Sequence, residues 1–279
     1  MALKTILVHV EASLRPSECI NVAARLAIAD GAHLVGVGTT GLAPLTLVGS
    51  GLDPAIPPVS AQLDILRDDA RSALAGFEAQ ARAMGLASVE SRLVQDEPGS
   101  ALVAQGRYAD LIVVGQTRAE GMPASNVRKD FPEYLLLNGA RPLLMVPARG
   151  TFDAVGTRIL VAWNGSIEAT RALTFALPLL QRAQAVTILL INPGADGMDE
   201  GDEPGADVGL YLARHGVRTE VMVKEGDEHD LELLDAISEC KADLLVMGAY
   251  GHSRLREYLL GGATRTILRS MTVPVCLAH

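Results

Sequence analysis

The chain has 279 residues, a net charge of −9 and 49% hydrophobic residues. That is enough for two ordinary domains with buried cores, and the acidic balance argues against general DNA or RNA binding, whose affinity rests on phosphate contacts. Four Phe and one Trp leave little for base stacking, no apolar run nears the ~20 residues of a membrane span, and the opening MALKTILVHV lacks the apolar region and cleavage site of a secretory leader.

Thr5–Val10 reads as a strand and Pro16–Asp30 as a helix, with Ser13 or Arg15 near its start and Gly31 just past its end. His33–Gly38 is a second strand. Thr39–Val59 is rich in Gly and Pro and reads as a long loop. Ala61–Met84 has helical spacing and is closed by Gly85. Val89–Val94 is a third strand, and a short helix follows from Gly99. Leu111–Val114 is the fourth strand, Glu133–Leu137 a short helix and Leu143–Val146 the fifth strand. Ala148–Thr157 is polar enough to be a linker.

Beyond the linker the scheme repeats. Strands are expected at Arg158–Trp163, Val186–Ile191, Thr219–Val223, Leu244–Met247 and Val275–Ala278. Helices are expected at Ile167–Ala183, Asp207–His215, Asp230–Cys240 and Ala263–Ser270. Three local matches occur in the same order. Leu7-Val-His-Val-Glu11-Ala-Ser13 answers to Leu160-Val-Ala-Trp-Asn164-Gly-Ser166, Ala109–Gly115 to Ala242–Gly248, and Pro142–Val146 to Pro274–Ala278. The chain is therefore two copies of one α/β domain, residues 1–150 and 151–279. Copy one carries about 20 extra residues, mostly in Thr39–Val59. Short β-branched runs alternating with helices indicate a parallel sheet with helices on both faces.

The stretch most suggestive of chemistry is Leu244–Thr264. A buried strand, Leu244–Met247, runs into Gly248-Ala249-Tyr250-Gly251, and Gly261-Gly262-Ala263-Thr264 then opens a helix. Glycine at a strand end lets the chain turn sharply and lets another group approach its backbone. A helix start offers free N–H groups at the positive end of the dipole. Glycines at strand ends also serve as plain turns, so the pattern alone leaves both readings open. Charge favours an anion. Gly248–Ser270 holds Arg254, Arg256, Arg265 and Arg269 against Glu257 alone, a basic island in an acidic chain.

The chain resembles a tandem universal stress protein. The resemblance rests on Gly248, Gly251 and Gly261, which fall on that family's motif of a glycine, two residues, a glycine, nine residues and a glycine followed by a small polar residue. The layout of Leu259-Leu260-Gly261 through Pro274-Val275 agrees with it. The resemblance implies two doubly wound domains, each a five-stranded parallel sheet in the order 3-2-1-4-5 flanked by helices. It also implies ATP, with or without Mg, at the strand C-terminal edges of copy two, as open α/β sheets bind ligands where the strand order reverses. Carried over, the phosphate ligands are the backbone N–H groups around Gly248, Ala249, Tyr250, Gly251, His252 and Ser253 and around Gly262, Ala263 and Thr264. Asn164 stands at the end of strand one, near ribose and adenine, and Asn192 meets the adenine edge through its backbone. Two positions depart from the pattern. Asn164 replaces an aspartate, and Gly262 replaces a serine or threonine, for which Thr264 offers a nearby hydroxyl.

Copy one departs further. Gly115 is kept, Arg118 stands where Gly251 would be, and no glycine pair opens the helix after Ala119–Pro132. Its charges balance, with Arg118, Arg128 and Lys129 against Glu120, Asp130 and Glu133. Copy one is therefore expected not to bind nucleotide and to pack against copy two. In the family single domains pair through their fifth strands, which implies an intramolecular pseudo-dimer and leaves a homodimer open.

Catalytic machinery is not evident. Ser253 beside His252 lacks an orienting acid, and the Walker pattern ending in Gly-Lys-Ser/Thr is absent. Asp196–Asp207 fits no EF-hand and reads as a solvated loop. The histidines have no metal-ligand spacing, and Cys19, Cys240 and Cys276 read as reduced, buried thiols of a cytosolic protein. The expectation is a cytosolic regulatory protein that binds ATP with little or no turnover. An interaction module without nucleotide and a slow nucleotide hydrolase are the alternatives.

Overall fold

A computed structural model of the chain describes residues 2–11, 16–41, 59–116, 130–194, 203–250 and 262–279. The chain divides into two compact units, Ala2–Ala148 and Arg149–His279.

The first unit runs β1 (Thr5–His9), α1 (Pro16–Asp30), β2 (His33–Thr39), α2 (Val59–Ala83), β3 (Val89–Val94), α3 (Pro98–Gly106), β4 (Leu111–Gly115), α4 (Phe131–Asn138) and β5 (Leu143–Val146). Its strands are parallel in the order β3-β2-β1-β4-β5. The second unit runs β6 (Arg158–Ala162), α5 (Ile167–Leu180), β7 (Ala185–Ile191), α6 (Ala206–Arg214), β8 (Glu220–Lys224), α7 (His229–Glu239), β9 (Leu244–Gly248), α8 (Gly262–Ser270) and β10 (Val275–Ala278). Its order, β8-β7-β6-β9-β10, is the same one. Each unit thus has the doubly wound α/β architecture and the 3-2-1-4-5 strand order expected for its copy.

Burial explains why these segments are strands. Leu111–Val114 and Leu244–Met247 are buried along their whole length, as central parallel strands covered on both faces must be. In the first unit α1 packs on α2, and α2 lies over β2 and β3; α3 packs on α4. In the second, α5 lies over β9 and β10, and α7 packs on α8 and against β6 and β7.

The paired aspartates of the repeat, Asp110 and Asp243, have one structural role. Each stands just before its copy's fourth strand and holds the chain entering the first. Asp110 accepts from the N–H groups of Lys4 and Thr5 at 2.7 and 2.9 Å. The Oδ1 of Asp243 accepts from Gly156, Thr157 and Arg158 at 2.8, 2.9 and 3.2 Å.

The ends differ from expectation by a few residues, for readable reasons. β4 and β9 continue into Gly115 and Gly248 because the ladder to the fifth strand extends that far. α5 ends at Leu180 because Arg182 and Ala183 turn their N–H groups to Leu179 and Leu180, tightening the last turn. The expected Thr39–Val59 loop falls mostly on residues 42–58, outside the described residues, as do Ser13 and Arg15.

Cys19 and Cys276 are free and buried, and burial pushes both thiols up to about 12. Cys240 is free but only half-buried, a departure from the expected set of three buried thiols. Among the described residues no helix is long and apolar enough to cross a membrane, and no group of three or more His, Cys, Asp or Glu could hold a metal ion.

Candidate functional site

In the second unit β6 lies between β7 and β9, with Ala162 beside Leu189 on one side and Met247 on the other. The order of connection reverses here, at the C-terminal edge of the sheet, the place where open α/β sheets bind ligands. Asn164, Asn192, Gly248 and the start of α8 all belong to this edge.

Asn164 is exposed and works as a turn residue. Its Oδ1 accepts from the N–H of Ser166 at 3.2 Å, Gly165 follows with a φ of 66°, and Ser166 then caps α5 by accepting from Ala169 N–H at 3.1 Å. The amide oxygen, the acceptor expected to stand in for a carboxylate, is thus already used within the loop. The amide nitrogen is the side chain's donor.

Asn192 closes β7 with a φ of 48°. Its N–H donates to Lys224 O at 2.9 Å. Its side chain bridges to the loop after β8: Nδ2 donates to Gly226 O at 2.6 Å, Oδ1 accepts from Gly226 N–H at 3.0 Å, and Nδ2 lies 3.2 Å from His229 Nε2. This ring of bonds fixes the backbone of Asn192 at the edge and leaves its carbonyl as the group that could read a ligand.

Gly248 has a packing reason to be glycine. A Cβ there would stand 2.5 Å from Ala169 N and 2.7 Å from Glu168 C, so the first turn of α5 rests directly on the end of β9. Ala249 is tied on both sides. Its N–H donates to Ala278 O at 2.9 Å, and its carbonyl lies 3.0 Å from His279 Nδ1. That removes Ala249 N–H from the donors a phosphate could use. Tyr250 has a φ of 62°, a left-handed conformation uncommon for a bulky residue and often found at functional turns. Gly251, His252, Ser253 and Gly261 lie outside the described residues, with Arg254 and Arg256. α8 opens at Gly262 and Ala263, and its first N–H groups lack partners within the helix. Thr264 is buried at 6% exposure, while Arg265 and Arg269 are exposed.

The same edge of the first unit holds a group of polar residues that residue patterns did not single out. His9, Glu11, Thr39, Thr40 and Glu97 are all buried. Glu97 caps α3, its Oε2 accepting from Ser100 N–H at 3.0 Å, with Pro98 following at the first turn. Glu-Pro ahead of a helix was the available signal. The ring of His9 lies 5.4 Å from that of Phe131. Glu11 takes the place in copy one that Asn164 takes in copy two, so the half lacking the glycines is the half with a carboxylate at that point.

Burial lowers the pKa of His9 below 6.5, and this outweighs the opposing pull of Glu11 and Glu97. The unfolded chain therefore takes up this proton first on acidification. The stability from a neutral His9 is complete above pH 6.5 and falls as pH drops below it. Between about pH 6.5 and 5 the parent chain should lose stability that a His9→Gln variant does not lose. Glu90, held down to about 2 chiefly by Arg92 and then His33, and Glu78, also lowered, act only below the ordinary 4.5 and stay outside that window. Urea titrations of both chains across the pH range check this.

The Universal stress protein family model matches residues 157–279. That span is the second unit almost in full. A universal stress protein of Synechocystis is 28% identical over 175 residues, covering 60% of this chain and 56% of that protein. The match thus spans little more than half of that relative. Among solved structures, a universal stress protein from Archaeoglobus fulgidus has a TM-score of 0.74 at 15% identity, covering 98% of this chain and 97% of that one. A functionally unknown protein from Pseudomonas aeruginosa PAO1 has a TM-score of 0.63 at 17% identity, covering 99% and 92%. At these identities the structural likeness is one of fold, and it extends over both units.

Proposed function

We propose that the chain is a cytosolic tandem universal stress protein that binds an adenine nucleotide, ATP with or without Mg, through its second unit and turns it over slowly or not at all. The observation that carries this reading is the start of α8. A glycine-opened helix N-terminus with an exposed arginine in its first turn stands at the sheet edge where the strand order reverses, within the stretch that matches the family. The N–H groups of Gly262–Thr264, which have no partner within the helix, and the charge of Arg265 suit phosphate oxygens. The amide nitrogen of Asn164 suits an acceptor on ribose or base, and the fixed carbonyl of Asn192 suits an exocyclic amine of a base. Ala249 contributes position rather than a hydrogen bond. The first unit, with no glycine-opened helix in its sequence and a buried carboxylate at Glu11, is read as a partner domain without nucleotide.

Heat-denaturing the purified protein and assaying the supernatant is expected to release adenine nucleotide. Added Mg-ATP at 100 times its dissociation constant should stabilise the stripped protein by roughly 2.7 kcal/mol, seen as a higher Tm. No co-purified nucleotide together with an unchanged Tm overturns the proposal and leaves the interaction module as the reading. Timed ADP release separates slow turnover from binding alone.

A further inference from the structure

The outer edge of β8 carries an inference independent of nucleotide binding. β8, Glu220-Val221-Met222-Val223-Lys224, pairs with β7 along one side, and among the described residues of the second unit no strand lies along its other side. Val221 and Val223 are 44% and 48% exposed. The corresponding edge of the first unit, β3, lies beneath the 25-residue α2, whereas α6 has nine residues.

Backbone direction shows which groups this edge offers. Lys224 O accepts from Asn192 N–H, so Lys224 faces β7. Peptide groups alternate sides along a strand. Met222 and Glu220 therefore face β7 as well, and Val221 and Val223 turn their N–H and C=O groups outward. The two residues with outward backbone groups are also the two exposed apolar ones.

We propose that this edge pairs with the same edge of a second copy of the chain, antiparallel, about a two-fold axis through Met222. In that register Val221 of each copy stands opposite Val223 of the other as a hydrogen-bonded pair, and the four valines form one apolar patch. Met222 meets its own counterpart. Glu220 stands opposite Lys224 at both ends. Flanking charges set the same direction: Arg214 and Arg218 precede the strand, while Glu225, Asp227 and Glu228 follow it. An antiparallel arrangement brings the basic flank of each copy to the acidic flank of the other. A parallel one would set Glu220 against Glu220 and like flank against like. Lys224 also pairs within its own copy with Glu239 at 3.1 Å and Glu232 at 3.9 Å, which holds it in place at the edge. The contact is self-complementary and closed, so it uses up both edges and ends at two copies.

Sedimentation of the intact chain over a concentration series is expected to show a monomer–dimer equilibrium. Val221→Lys with Val223→Lys places four lysines in the valine patch and should raise the dimer dissociation constant by about tenfold or more. Both side chains are exposed, so the Tm at low concentration should not change. A separate Met222→Cys variant, in a Cys240→Ser background that removes the half-buried thiol, should form a disulfide-linked dimer on mild oxidation. Opposed residues at a non-hydrogen-bonded position sit about 4.5 Å apart at Cα, within disulfide range. A parent chain that stays monomeric throughout overturns the proposal. So does a dimer that survives the double lysine variant and gives no cross-link through position 222.

Discussion

Replacing Gly248 by alanine is expected to cost the second unit about 3 kcal/mol or more. The cost comes from space rather than from backbone angles, since Gly248 is not among the glycines with positive φ. The added methyl would meet the backbone of Glu168 and Ala169 at 2.7 and 2.5 Å, and backbone at a helix start cannot swing aside as a side-chain tip can. Relief would require moving α5 off β9 and β10, which it covers. Gly216 is the control. Its φ is 78° and nothing lies within 4 Å of a Cβ there, so Gly216→Ala should cost only the ~1–2 kcal/mol of the left-handed conformation. The chain has one tryptophan, Trp163, at the end of β6, so its fluorescence in a urea series reports on the second unit. A Gly248→Ala chain whose midpoint matches that of Gly216→Ala would show that α5 is not seated on β9 as described. The same contact bears on any binding assay: lost ATP binding in Gly248→Ala reports lost fold, and cannot be read as a lost phosphate ligand.

The second large effect is expected at Asp243. Alanine there strands the N–H groups of Gly156, Thr157 and Arg158, all held by one carboxylate oxygen. Losing hydrogen bonds to a charged acceptor, with partly buried donors left behind, costs about 2–4 kcal/mol. Asp243→Asn keeps an acceptor oxygen and loses the charge, so it should recover roughly half of that loss. The equivalent Asp110→Ala should act in the same direction and more weakly, because Asp110 holds two N–H groups, those of Lys4 and Thr5. Tryptophan fluorescence checks the first two variants and backbone circular dichroism the third. Equal midpoints for the parent and Asp243→Ala would remove the carboxylate from the account of how β6 is anchored.

The fold was largely legible because each element carries its own local signal. Pro16 starts α1, and Gly31, with a φ of 62°, ends it, so both limits could be read from single residues. Val89–Val94, Leu143–Val146 and Val275–Ala278 are short runs that begin or end in valine, and their limits agree with β3, β5 and β10. The limits that slipped depend on partners elsewhere in the chain. β2 and β3 pair through Thr39 and Val94, which no local pattern announces.

The candidate site was legible as a place and less so as a set of contacts. The glycine spacing and basic island marked the sheet edge after β9. What a glycine is for depends on what comes near it: at Gly248 that is the start of α5, nearly 80 residues earlier in the chain. Ala249 looked like a donor because its strand neighbours in β10 come last in the chain. The buried group of His9, Glu11 and Glu97 went unseen because Glu97, at the start of α3, comes to the end of β1, where His9 and Glu11 stand, only in the folded unit.

Isothermal titration of the intact, nucleotide-stripped chain with Mg-ATP tests the central claim most directly. The account predicts one site per chain, with Arg265→Ala weakening binding while leaving the Tm of the stripped protein unchanged. Two equivalent sites per chain, or no heat of binding at all, would contradict it.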